Sequence, residues 1–141
     1  MVHLVGEAYY KQSGVKEPFV IKKEKHGVVF VLPFLEQMDT LYKLTELWVA
    51  RAGATSISEL RYFKKPALYV PYPYASENHQ LKNALWMQEQ GFGKVVKEAH
   101  LEKLDLSLLD EDWAYDAKEA LAKDVYEPNE RVLEVFKQVL C

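Results

Sequence analysis

Short runs of β-branched and aromatic residues alternate along this chain with longer stretches of helical period, the arrangement of α/β domains whose sheet is mainly parallel. Five runs read as strands: Val2 to Val5, Val28 to Leu32, Leu47 to Ala50, Ala67 to Tyr72 and Lys94 to Lys97. Between the second and third, Glu36 to Leu44 places Met38, Leu41, Tyr42 and Leu44 on one face and predicts a short helix. The third strand leads into Arg51-Ala52-Gly53-Ala54-Thr55-Ser56-Ile57-Ser58-Glu59-Leu60, a small-residue turn and then a helix start. Thr55 or Ser56 can cap that helix, and Glu59 stands in capping-box position relative to Ser56. After the fourth strand, Pro71 and Pro73 stop both sheet pairing and helix continuation, so Pro71-Tyr72-Pro73-Tyr74 forms a stiff loop. A helix over Glu77 to Gln90 follows, with Leu81, Ala84, Leu85 and Gln88 on one face and Gly91 as its left-handed terminator.

The tail is helical by composition, over Leu104 to Lys123 and again over Asn129 to Leu140, where Val132, Leu133, Phe136, Val139 and Leu140 recur at helical spacing. Lys16 to Gly27 fits neither period. With no internal repeat and no boundary signal, residues 1–141 read as one domain with tail helices from about residue 104.

Composition narrows the picture. Hydrophobic residues make up 49% of the chain, enough to bury a core, which excludes a disordered segment. The formal net charge is −3, from 18 Lys and Arg against 21 Asp and Glu, so no broad basic face exists to neutralise phosphates and nucleic acid is not an expected partner. Cys141 is the only cysteine, which excludes an intrachain disulfide and a cysteine zinc cluster and fits a reducing compartment. No apolar run reaches the roughly 20 residues that cross a hydrocarbon core, and no basic-then-apolar secretion pattern opens the chain.

In open α/β sheets ligands bind beyond the carboxyl ends of the strands, where helix N-termini gather backbone N–H groups. Arg51 to Glu59 offers such a corner, with Gly53 permitting close approach and a helix whose positive end can face an anion. Pro71 to Asn83 offers a second, a stiff aromatic loop followed by His79, Gln80 and Asn83, all able to hydrogen-bond hydroxyls. Together they suit a sugar nucleotide. Glu59 has two readings: a carboxylate accepting from a ribose diol, or a capping-box residue serving the helix dipole. His79 could donate to a sugar or phosphate oxygen, or be merely solvated. Tyr72 and Tyr74 could line a pocket or complete a core, while Trp86, Met87 and Trp113 read as packing. His3, His26 and His100 lack metal-ligand spacing, so no metal is expected. Glycine-rich nucleotide loops, a nucleophile elbow and a Cys–His pair are all missing, and no catalytic residue is assigned.

The run Arg51 to Glu59, then Lys65-Pro66-Ala67, Val70-Pro71-Tyr72-Pro73-Tyr74-Ala75, His79-Gln80 and Asn83-Ala84, resembles the C-terminal donor-binding domain of the MurG family. Those bacterial transferases add N-acetylglucosamine to an undecaprenyl-linked muramoyl-pentapeptide in peptidoglycan synthesis. Phe34-Leu35-Glu36-Gln37-Met38 matches the family's aromatic-aliphatic pair before an acidic residue and Met, and similarity extends from about Val2 to Gly93.

The resemblance implies a Rossmann-like, three-layer domain of the GT-B architecture with a mainly parallel sheet of about five strands, and UDP-N-acetylglucosamine as ligand. Leu35, following Phe34 and with Met38 nearby, would meet the uracil; Glu59 would hold the ribose hydroxyls; Gly53, Ala54 and Thr55 would form the turn beside the diphosphate. His79 and Gln80 would contact the amino sugar, with Asn83 supporting that helix start. No cofactor and no Asp-x-Asp metal is implied. The family's N-terminal acceptor domain has no counterpart here. Neither has the first strand of the donor domain, with its glycine-rich loop, because Met1 to Gly6 matches the second strand. That first strand lies mid-sheet, so backbone groups would lack partners unless the acceptor half, a second copy in a homodimer or a separate protein supplied them. The chain alone is then expected to be inactive. Alternatives are a non-catalytic donor-binding or assembly subunit of a split transferase, and a truncated product that only oligomerises. The expected location is cytoplasmic, at most peripheral to the inner face of the membrane.

Overall fold

The computed structural model describes residues 2–4, 19–24, 27–32, 36–103 and 112–128. The chain divides into two compact units, Met1–Met38 and Asp39–Cys141.

The first unit holds three strands, β1 (Val2–Leu4), β2 (Phe19–Glu24) and β3 (Gly27–Leu32), in the order β1-β3-β2. β1 runs parallel to β3 with Val2 opposite Phe30, and β2 runs antiparallel to it with a register shift between Val20 and Lys23. β2 falls within Lys16 to Gly27, the stretch that fitted neither period. Its sequence is three apolar residues followed by three charged ones, so the alternation that marks a half-buried strand is missing.

The second unit is a parallel β-α-β-α-β core. β4 (Trp48–Ala50), β5 (Ala67–Tyr69) and β6 (Gly93–Val95) lie in the order β4-β5-β6, with Trp48 opposite Ala67 and Ala67 opposite Gly93. Helix α1 (Met38–Leu44) precedes β4, α2 (Ala54–Tyr62) links β4 to β5, α3 (His79–Glu89) links β5 to β6, and α4 (Trp113–Lys123) follows. The α/β, mainly parallel class expected from the sequence is the one observed. Among the described residues β1 pairs only with β3 and β4 only with β5.

Burial follows sheet position. Ala67, Leu68 and Tyr69 of the middle strand β5 are all fully buried, as expected of a parallel strand covered on both faces, whereas Val49 of β4 is 50% exposed. β5 ends at Tyr69, earlier than the sequence suggested. Val70 N–H still reaches the Ala50 carbonyl at 2.8 Å, and then Pro71, lacking an N–H, ends the pairing. Gly93 is required by close approach: a Cβ there would lie 2.2 Å from the Ala67 carbonyl oxygen and 2.8 Å from the Tyr69 ring.

Helix α3 ends as expected at Gly91, whose φ of 77° lets Phe92 N–H bond the Met87 carbonyl at 2.9 Å. Its buried stripe is Ala84 and Met87, however, and Leu85 is left 42% exposed, so the inward face is rotated from the one read in the sequence. Gln88 lies outside that stripe because its Oε1 accepts the Val95 N–H at 2.9 Å. Leu44 likewise points outward at 78% exposure while Tyr42 takes the core position. In the tail, the described helix is Trp113–Lys123; residues 104–111 and the expected helix over Asn129 to Leu140 lie outside the described residues.

Candidate functional site

Gly53 stands in extended conformation (φ −67°, ψ 155°) as N-cap of α2, and the first helical bond runs from Ile57 N–H to the Gly53 carbonyl at 3.0 Å. The N–H groups of Ala54, Thr55 and Ser56 therefore have no intrahelical acceptor, and no side chain caps the helix. This corrects the capping-box reading. Thr55 and Ser56 lie inside the helix, two and three residues past the cap, so Glu59 is too deep in the helix to reach back to its start.

Glu59 instead turns into the core, 8% exposed, and its Oε2 accepts a hydrogen bond from the Tyr42 hydroxyl at 2.6 Å. Tyr42 is itself sandwiched: its ring stacks on Trp48 at 4.3 Å and on Phe63 at 4.6 Å between centroids. Burial, the larger influence, pushes the Glu59 carboxyl above the usual carboxylate range, and the hydrogen bond from Tyr42 pulls it partly back. The Tyr42 phenol is driven well above the ordinary tyrosine range, first by burial and then by the carboxylate beside it, so it keeps its proton and remains a donor.

The second corner follows β5. Ser76–Asn78 forms a single tight turn, with Glu77 and Asn78 both left-handed at φ 56° and 55°, and Asn78 then caps α3 without a side-chain hydrogen bond. His79, 62% exposed in its side chain, has Nε2 at 3.3 Å from the Glu77 carboxylate. Gln80 Oε1 accepts the Tyr72 N–H at 2.9 Å, which leaves the amide nitrogen as the donor end. That Nε2 lies 4.0 Å from where a Gly53 Cβ would stand. Asn83 Nδ2 donates to the Ala52 carbonyl at 3.1 Å. The two crossover corners therefore converge: Gln80 and Asn83 of α3 lie against Ala52 and Gly53 at the start of α2.

Around this point the chain presents unpaired helix N–H groups, an amide donor and, deeper along α2, a carboxylate. Tyr74 is 83% exposed and Tyr72 45%, so neither completes the core. Arg51, which the sequence showed only as the head of its run, has its guanidinium 5.4 Å from the Tyr72 ring and bonded to Glu98 at 2.7 Å. Met38 opens α1, half-buried; Phe34 and Leu35 lie outside the described residues. Tyr42 was legible only as an apolar-face residue, because nothing local announces a partner 17 residues away.

Among the described residues no group of three or more His, Cys, Asp or Glu side chains could hold a metal ion, and no helix is long and apolar enough to cross a membrane. A shallow cavity of about 340 Å³, lined by Gln88, Lys94, Trp113 and Asp116 among others, shares no residue with the two corners.

Against known proteins, the model of the glycosyltransferase family 28 C-terminal domain matches residues 1–131. A UDP-N-acetylglucosamine–N-acetylmuramyl-(pentapeptide) pyrophosphoryl-undecaprenol N-acetylglucosamine transferase of Desulfotalea psychrophila is 38% identical over 101 residues, covering 70% of this chain and 27% of the relative. The transferase of the same description from Halothermothrix orenii is 32% identical over 120 residues, covering 84% of this chain and 32% of the relative. The crystal structure of Acinetobacter baumannii MurG superposes with a TM-score of 0.72 at 24% identity, over 98% of this chain and 40% of that one, a likeness of fold. The chain thus spans about a third of the length of the curated relatives it matches.

Proposed function

Because this chain belongs to the glycosyltransferase family 28 C-terminal domains, we propose that it forms the UDP-N-acetylglucosamine-binding portion of a MurG-type transferase, the enzyme its relatives are named for. The observation that carries the reading is the convergence of the two corners, with Asn83 Nδ2 bonded to the Ala52 carbonyl at 3.1 Å. A sugar nucleotide needs its diphosphate and its sugar held by neighbouring elements, and this contact brings α2 and α3 together at their N-termini.

In this reading the diphosphate lies at the start of α2, where the N–H groups of Ala54, Thr55 and Ser56 and the Gln80 amide supply donors and the helix dipole favours negative charge. Leaving-group charge on UDP would be stabilised by those same donors, with no metal required. Glu59 lies roughly 7.5 Å farther along the helix axis and takes the ribose diol. His79 and Gln80 face the amino sugar, Asn83 fixes their helix, and Phe34, Leu35 and Met38 take the uracil. Transfer to a polyprenyl-diphosphate-linked sugar calls for an acceptor-binding half in addition to this donor-binding portion. Its place is the cytoplasm, at most peripheral to the inner face of the membrane.

Isothermal titration of the chain with UDP-N-acetylglucosamine tests this. Saturable binding, lost on Asn83→Leu and unmatched by an ADP-sugar, is the expected result. Absence of binding, also after an acceptor domain is supplied in trans, would reject the donor-site reading.

A further inference from the structure

Tyr42 has a place in the fold that packing alone does not explain. Its ring is gripped by residues of two other elements, Trp48 at the start of β4 and Phe63 at the C-cap of α2, at centroid distances of 4.3 and 4.6 Å. The residue is 3% exposed, and its hydroxyl is aimed at one atom, Glu59 Oε2, at 2.6 Å. A phenylalanine would fill the same stack and bury no polar group. The hydroxyl must therefore act on the carboxylate.

We propose that Tyr42 is a positioning residue: it fixes Oε2 of Glu59, and so the plane of the carboxylate, leaving Oε1 to accept from a vicinal diol. Oε1 has no protein partner among the described residues. A carboxylate has about four acceptor sites, and a diol needs two of them presented at a fixed angle. An untethered glutamate would have to give up rotamer freedom when the diol arrives; one already held by a donor between three elements has given it up on folding. Because burial keeps the phenol protonated, the donor is present whatever the charge on Glu59.

This inference rests on the reading of Glu59 as the diol acceptor, and the experiment separates the two. Wild type, Tyr42→Phe, Glu59→Asp and Glu59→Gln are titrated with UDP and with 2′,3′-dideoxy-UDP, which lacks the diol, and each variant is checked for a wild-type circular dichroism spectrum. Tyr42→Phe keeps the ring stack and should bind UDP about tenfold more weakly, the scale of one hydrogen bond to a charged group. It should bind dideoxy-UDP as wild type does. Glu59→Asp, whose carboxylate is drawn back from Tyr42 by one methylene, should show the same pattern, and it carries the test should Tyr42→Phe fail to fold. Wild-type UDP affinity in Tyr42→Phe alongside weak binding in Glu59→Gln overturns the positioning role and leaves Glu59 in place. Equal loss for both nucleotides in Tyr42→Phe marks a structural residue only and overturns it too. Unchanged UDP binding in Glu59→Gln overturns the reading of Glu59 itself, and the inference with it.

Discussion

Asn83 Nδ2 and the carbonyl oxygen of Ala52 lie 3.1 Å apart across 31 residues of sequence, and this one hydrogen bond ties the start of α3 to the end of the β4 turn. Ala52 is fully buried, so its carbonyl has no recourse to water if the amide is removed. Asn83→Ala or Asn83→Leu should cost about 1 to 3 kcal/mol, the penalty of a buried acceptor left unpaired. Asn83→Asp should cost at least as much, since an ionised carboxylate cannot donate and would face a carbonyl. Urea unfolding of the three variants checks this, and nucleotide titration should show each weakening binding although Asn83 need not touch the ligand.

Two glycines three-dimensionally close to the sheet differ in why they are glycine, and their alanine variants should differ accordingly. At Gly91 the constraint is a φ of 77° with nothing closer than the Ala120 Cβ at 3.8 Å, so Gly91→Ala should lose about 1 kcal/mol of stability from backbone strain alone. At Gly93 a Cβ would collide with the Ala67 carbonyl oxygen at 2.2 Å, and backbone cannot move aside without breaking the β5–β6 ladder. Gly93→Ala should therefore lose about 3 kcal/mol or more. Thermal melts of the pair in parallel would show the order; equal losses would mean the strand yields.

The five strands read from sequence are all present because each is a compact β-branched or aromatic run, a signal that survives without knowledge of neighbours. β2 escaped because Phe19–Glu24 segregates its apolar and charged residues instead of alternating them. Gly91 could be foreseen because a helix terminator is a local device. The capping box was misread for the same reason: Ser56 and Glu59 have the right spacing, and only the position of Gly53 decides that the helix has already begun. Glu59 turned toward Tyr42, and Asn83 toward Ala52, through contacts 17 and 31 residues apart that no local window contains. The candidate residues could thus be named from the chain, whereas their partners had to come from tertiary structure.

Arg61 holds the segment after α4 by two kinds of contact. Its Nε and Nη2 bond both oxygens of Asp124 at 3.0 and 2.9 Å, and its guanidinium lies 4.1 Å from the Tyr126 ring centroid and 5.0 Å from that of Trp86. Both charged side chains are largely buried, at 18% and 11% exposure, so removing one strands the other. Arg61→Ala should cost about 2 kcal/mol or more, and Arg61→Lys should recover little, because an ammonium can supply neither the paired geometry nor the flat stacking surface. A double-mutant cycle with Asp124→Ala, read by denaturant unfolding, should return a coupling energy well above that of an exposed ion pair.

The Glu59 carboxyl sets opposite pH trends for folding and for ligand. Its burial raises the folded-state pKa above the unfolded one, the Tyr42 bond offsetting part of the rise. Between those two values the native protein holds a proton that the unfolded chain has released, so stability falls as pH increases through the interval. Below the unfolded pKa, near 4 to 4.5, the contribution is fully present. Glu59→Gln replaces the carboxyl with a neutral amide that can still accept from Tyr42, and its stability should lack this slope. The difference in unfolding free energy between wild type and Glu59→Gln should therefore decline with rising pH and level off above the folded-state pKa. A ribose diol, by contrast, is gripped best by the ionised carboxylate, so UDP affinity of wild type should climb over the same interval while that of Glu59→Gln stays flat. Parallel urea titrations and calorimetric UDP titrations across the acid range would show the two curves crossing; stability and affinity rising together would mean that the fold holds the Glu59 carboxyl below its unfolded pKa and not above it.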